Sequence, residues 1–153
     1  MKISDVMERN TIIPYLKSEN KKHVIKELAE KVSAEYPGIN NEKLVEVLLE
    51  REKLCSTALD SGVAIPHAKL SGISEIIIGF GRSKEGIDFD SLDTKTTHFF
   101  ILLIAPENTT GRHIELLARI SMIFKNSDFR SRLMKAESSE EIYENIISED
   151  EKL

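Results

Sequence analysis

The sequence predicts an α/β domain, strands covered by helices on both faces, and two observations carry this. Ile76–Phe80 and Phe99–Ala105 are continuous apolar runs rich in β-branched residues, the pattern of strands buried on both sides. Helical-period stripes precede and follow them, so the covering layers are helices. The chain has 153 residues, enough for one domain with a real core, read here as 1–153. It shows no internal repeat, low-complexity tract or interdomain linker.

The first predicted helix spans Asn20–Tyr36, with Val24, Ile25, Leu28, Ala29 and Val32 on one stripe and Pro37–Gly38 as its stop. Asn40 or Asn41 caps a second helix carrying Leu44, Val47, Leu48 and Leu49. Thr57–Ile65 reads as short extended pieces around Ser61–Gly62. The two apolar strands follow. Between them RSKEGIDFDSLDTK is polar and turn-rich, and Gly86 with the alternation at Ile87 and Phe89 predicts a hairpin-like excursion. After Pro106 a loop leads into a helix, and Ser127 opens another. Ser138 and Glu141 have capping-box spacing before Ile142, Ile146 and Ile147. The tail, 148–153, is expected to fray.

Composition narrows the function. At 41% hydrophobic and 31% charged residues the chain reads as a soluble globular protein. A net charge of −5 argues against nucleic acid as the main partner. The single cysteine, Cys55, cannot form an internal disulfide and suits a reducing cytoplasm. MKISDVMERN has no apolar signal core, and the longest apolar run is too short to span a bilayer, so no direct membrane insertion is expected. There is no Walker A, dinucleotide glycine pattern, serine elbow, C-x-x-C or H-E-x-x-H. Asp88, Asp90 and Asp93 lack the glycine and terminal glutamate of a calcium loop and read as a solvated loop. A zinc site would need scattered ligands. His23, among lysines, reads as exposed, and His98 as a strand-end residue or a neighbour of a site.

Three residues do not look like packing. His67 follows Pro66 in GVAIPHAKL; Pro66 holds Ile65 extended, Gly62 permits a turn, and together they aim the imidazole out of a strand end. The competing reading is a surface histidine after an ordinary turn. His113 follows Thr109, Thr110 and Gly111 and shares a stripe with Leu116, Leu117 and Ile120, on the inward face of a helix's first turn. Free N–H groups there favour an anion and a neutral imidazole; the alternative is a core-edge histidine satisfied by a backbone carbonyl. Arg51 lies on the stripe of Leu44, Val47 and Leu48, either as a fork for phosphate or as a snorkelling cation near a helix C-terminus. Together they fit anion chemistry with a histidine nucleophile, which is largely unprotonated near its unperturbed pKa of about 6.5. Phosphoryl transfer needs positioning and charge stabilisation, which Arg51 and His113 are placed to supply.

LLEREKLCSTALDSGVAIPHAKL and FFILLIAPENTTGRHIELLARIS resemble the two signatures of fructose/mannitol-type (type 2) enzyme IIA domains of the bacterial phosphoenolpyruvate-dependent sugar phosphotransferase system. The family forms are a helix ending in R-E, then L-x-S-T, a glycine and V-A-I-P-H, and a strand ending in proline followed by a loop and H-[LI]-x-x-L-A. The resemblance covers essentially the whole chain. It implies a mixed β-sheet sandwiched between helices, no metal or organic cofactor, and His67 as the phosphorylated residue, reacting through Nε2. It also implies that His113 and Arg51 hold the phosphoryl group and that Ser56 and Thr57 line the site. The implied donor is a histidine phosphocarrier protein; the implied acceptor is a regulated protein or a IIB cysteine. The one-domain layout is most similar to the stand-alone nitrogen-regulatory enzymes IIA. Cys55 and Lys95 stand where the family often has glycine, which puts the local backbone in question.

Overall fold

The two longest helices are each capped by the side chain of the residue before them. In the computed structural model, which describes residues 1–109 and 111–153, Asn20 accepts from His23 N and opens α1 (Lys21–Glu35). Asn40 does the same for α2 (Asn41–Leu54), through Lys43 N at 3.0 Å. Thr110, read as part of the approach to His113, lies outside the described residues. The strands are β1 (Met7–Ile13), β2 (Val63–Ala64), β3 (His67–Leu70), β4 (Ile77–Ile87) and β5 (Thr97–Pro106). The remaining helices are α3 (Arg112–Ile123), α4 (Ser127–Lys135) and α5 (Ser139–Glu151).

The sheet is mixed. Its order is β1-β4-β5-β2, with β3 also on β5; β4 and β5 are antiparallel and the other pairings parallel. The period-2 alternation of β5 explains its unbroken apolar run. Phe99, Ile101, Leu103 and Ala105 pack under α3, α4 and α5, while Phe100, Leu102 and Ile104 pack under α1 and α2. Gly79 lets α1 approach the sheet closely, because a Cβ there would lie 2.8 Å from Val32 Cγ2. Among the described residues no helix is long and apolar enough to cross a membrane.

Four features differ from the expectations. The hairpin-like excursion after Phe80 is the end of the β4–β5 hairpin itself, with longer strands: β4 runs on to Ile87, which faces Thr97 of the antiparallel β5. Arg82 on this extension is fully buried, donating to the carbonyls of Pro14 (3.0 Å), Leu133 (2.8 Å) and Ala136, and so joins the sheet to the end of α4. Met7–Ile13 is a strand that the sequence did not suggest; polar Glu8–Asn10 falls where the register of β1 against β4 shifts. The helix cap of α5 is only half of the expected box. Ser138 accepts from Glu141 N, but the Glu141 carboxylate takes the Glu137 amide. The tail does not fray from 148, since α5 continues to Glu151. Asp150, 1% exposed, accepts from Ile3 N (2.8 Å) and Arg119 Nε (2.9 Å) and ties the last turn to the N-terminus and to α3.

Candidate functional site

β2 and β3 form one interrupted edge strand. Ala64 faces Phe100 and His67 faces Leu103, so the register holds across Ile65–Pro66, where proline has no N–H to pair. The Pro66 carbonyl still accepts from Leu103 N at 3.0 Å. Gly62, at φ +77°, makes the turn before this strand, and its carbonyl takes the amides of His98 and Phe99. His67 therefore stands at the end of a strand, as the sequence suggested, but that end is the start of β3 and lies along the sheet edge next to β2. Its Nδ1 lies 2.6 Å from the Ile65 carbonyl. A carbonyl only accepts, so Nδ1 carries a proton, and in the neutral ring the lone pair is on Nε2.

Arg51 comes from the last turn of α2. Its Nη1 donates to the Cys55 carbonyl at 2.8 Å, just past the helix end, so the cation serves that C-terminus. The bond uses one donor of the guanidinium and leaves the rest of the fork to the cleft. Among the described residues no carboxylate pairs with it. His113 is the second residue of α3, after Gly111 at φ +94°. Its buried Nδ1 has no hydrogen-bond partner among the described residues, so no backbone carbonyl satisfies it as a core-edge histidine would require. A buried lone pair costs less than a buried unpaired N–H, which favours the tautomer with Nε2–H as donor. Burial, then the charge of Lys69, then His67 hold its pKa below the ordinary 6.5.

These three side chains line one cleft of about 440 Å³ over the β3 edge, together with Val47, Leu54, Lys69 and Leu103. Lys69 escaped the sequence reading. It sits two residues after His67 and so on the same face of β3, which is a legible signal. Ser56 and Thr57 are not among the lining residues. Ser56 Oγ donates to the Phe89 carbonyl (2.6 Å), and Thr57 N donates to Glu52 Oε1 (3.0 Å). Both hold the α2–β2 connection together, so the structure does not bring them to the cleft. His98 binds the Ser83 carbonyl through Nδ1 at 2.9 Å, away from the cleft, and His23 is exposed. The two glycine departures are harmless to the backbone. Cys55 is extended, at φ −172°, and Lys95 is not at positive φ; Asp90 and Thr94 take those conformations instead. Among the described residues no group of three or more His, Cys, Asp or Glu is placed to hold a metal.

An open histidine nitrogen beside an arginine fork and a neutral imidazole can take a tetrahedral anion at nitrogen. This three-layer domain defines a class, and comparison with known proteins gives it a family. Residues 5–149 match the family described as "Phosphoenolpyruvate-dependent sugar phosphotransferase system, EIIA 2", and the chain belongs to it. Members are components of a phosphotransferase system.

Within the family, the chain is similar to a nitrogen regulatory protein of Bradyrhizobium diazoefficiens. The two are 40% identical over 143 residues, covering 94% of this chain and 93% of the relative. It is also similar to a fructose-specific EIIABC component of Bacillus subtilis, at 34% identity over 98% of this chain but only 24% of that longer protein. The crystal structure of the nitrogen regulatory protein IIA-Ntr from Neisseria meningitidis superposes with a TM-score of 0.88 at 31% identity, covering 94% of this chain and 98% of that one.

Proposed function

We propose that the protein is a phosphoryl carrier in which His67 Nε2 accepts a phosphoryl group from the phosphohistidine of a histidine phosphocarrier protein. The observation that carries this is the Nδ1–Ile65 carbonyl bond, which leaves Nε2 as the nucleophilic nitrogen. In the transfer, the Nε2 lone pair forms a bond to phosphorus as the donor's N–P bond breaks, and that electron pair returns to the donor nitrogen. The proton stays on Nδ1, donated to the Ile65 carbonyl, and the positive charge that develops on the ring is offset by the phosphoryl dianion. The Arg51 fork and the His113 Nε2–H stabilise the equatorial oxygens.

The nitrogen-regulatory relatives support a regulatory protein; in this reading it acts in the cytoplasm and its binding to a target protein changes with phosphorylation. The fructose-specific relative supports a second acceptor, the cysteine of a IIB domain in sugar uptake. A binding module that does not use phosphate is the third reading. The test is intact-mass spectrometry at mildly alkaline pH, after incubation with phosphoenolpyruvate, the general phosphotransferase enzyme and its histidine phosphocarrier. One acid-labile phosphoryl group is expected, absent in His67→Ala. Chase with a IIB domain then separates the two acceptor readings. No gain with an active donor chain would leave the non-phosphorylated binding module.

A further inference from the structure

We infer that Glu52 is a positioning residue that sets both Arg51 and His67, an inference that rests on the carrier reading for its functional consequence. Glu52 follows Arg51 on the last turn of α2 but turns away from the cleft and is 8% exposed. Its carboxylate receives three donors: Thr57 N at 3.0 Å, Thr57 Oγ1, and Lys21 Nζ at 3.1 Å. Lys21 in turn lies 4.7 Å over the Phe89 ring and 3.2 Å from Asp90.

The segment that Glu52 holds carries the acceptors of the site. The Cys55 carbonyl anchors the Arg51 guanidinium. The Thr57 carbonyl accepts Ile65 N at 3.1 Å, and the Ile65 carbonyl in turn accepts His67 Nδ1. One buried carboxylate thus fixes the orientation of the arginine fork and, through two backbone steps, the tautomer of the nucleophile. The requirement is for a carboxylate. Thr57 N and Lys21 Nζ share Oε1 and Thr57 Oγ1 goes to Oε2, so a glutamine would turn its NH2 toward Thr57 Oγ1, reverse that hydroxyl from donor to acceptor and leave the Lys21 ammonium without a charged partner. An aspartate is one methylene short of Thr57.

The test is nitrogen-15 NMR of the His67 ring in the unphosphorylated protein, alongside the transfer rate. Wild type should show one tautomer, protonated at Nδ1. Glu52→Gln should stay folded, show mixed tautomers at His67 and accept phosphoryl about tenfold more slowly, a barrier change of about 1.4 kcal/mol. Lys21→Met keeps the Thr57 contacts and should preserve the tautomer, with a rate within about threefold of wild type. Thr57→Ala keeps its backbone amide, loses the hydroxyl and should shift the ring in the same direction as Glu52→Gln but less, which covers the case where Glu52→Gln fails to fold. Wild-type ring shifts and rate in Glu52→Gln, or in Thr57→Ala if that variant must stand in, would overturn the inference. So would an equal loss in Lys21→Met, since Glu52 would then act only as half of an ion pair. Because the ring spectrum needs no phosphoryl donor, a wild type that is never phosphorylated would defeat the carrier reading while leaving the positioning chain measurable.

Discussion

Replacing Arg51 by alanine removes the one guanidinium that lines the cleft among the described residues, and the cost can be worked from its setting. A preorganised donor aimed at developing charge is worth about 10²–10³ in rate. Arg51 is half-buried and commits Nη1 to the Cys55 carbonyl, so the lower end of that range applies. Arg51→Ala should slow phosphoryl transfer to His67 by about 100-fold, or about 2.7 kcal/mol. The lost Cys55 bond should reduce folding stability by only about 1 kcal/mol, so the variant folds. Arg51→Lys keeps the charge, but a point ammonium cannot hold Cys55 and a phosphoryl oxygen in one fork geometry; it should recover about tenfold of the loss. Quenched-flow transfer from a phosphorylated donor, titrated in donor concentration, separates the bound step from docking, and the loss should fall on the bound step. If Arg51→Ala transferred within about threefold of wild type, the claim that this fork holds the phosphoryl oxygens would be wrong.

Two further outcomes follow from the same geometry. His113 should titrate below 6.5 by proton NMR, and Lys69→Gln should raise its pKa by removing the second cause of the shift while burial remains. Since the folded state resists protonating His113, its contribution to stability is complete above about 6.5 and is lost as pH falls from there through the lower folded pKa; a titration at or above 6.5 would contradict this. Asp150→Ala leaves the Ile3 amide and Arg119 Nε without their buried acceptor, while Arg119 Nη2 keeps the backbone carbonyl of residue 150. Because Arg119 is 21% exposed and can reach water, the cost should be about 3 kcal/mol, the low end for breaking a buried pair. A melting temperature lower by about 6–12 °C in calorimetry is expected, and a change under about 2 °C would show that the α5 tail does not matter.

Local chemistry was legible in the sequence. The stripe of Val24, Ile25, Leu28, Ala29 and Val32 becomes the buried face of α1, Asn40, one of the two expected candidates, caps α2, and β5 is buried on both faces as its unbroken run requires. Each of these depends on residues within one or two turns of each other. His67, Arg51 and His113 could be singled out because each is a polar group at odds with its own local pattern, and the family resemblance supplied their companionship. What the sequence could not supply depends on partners distant along the chain. Arg82 looks like a loop residue until α4 brings the Leu133 and Ala136 carbonyls to it, and Asp150 looks like a frayed tail until the Ile3 amide and Arg119 reach it. Ser56 and Thr57 look like site residues until Phe89 and Glu52 claim them. Sequence alone determined which segments bury which faces. The resemblance implied Nε2 as the reacting nitrogen of His67; only the tertiary structure supplied the physical reason, one carbonyl bonded to Nδ1 and held in place through Thr57 by a carboxylate on another element.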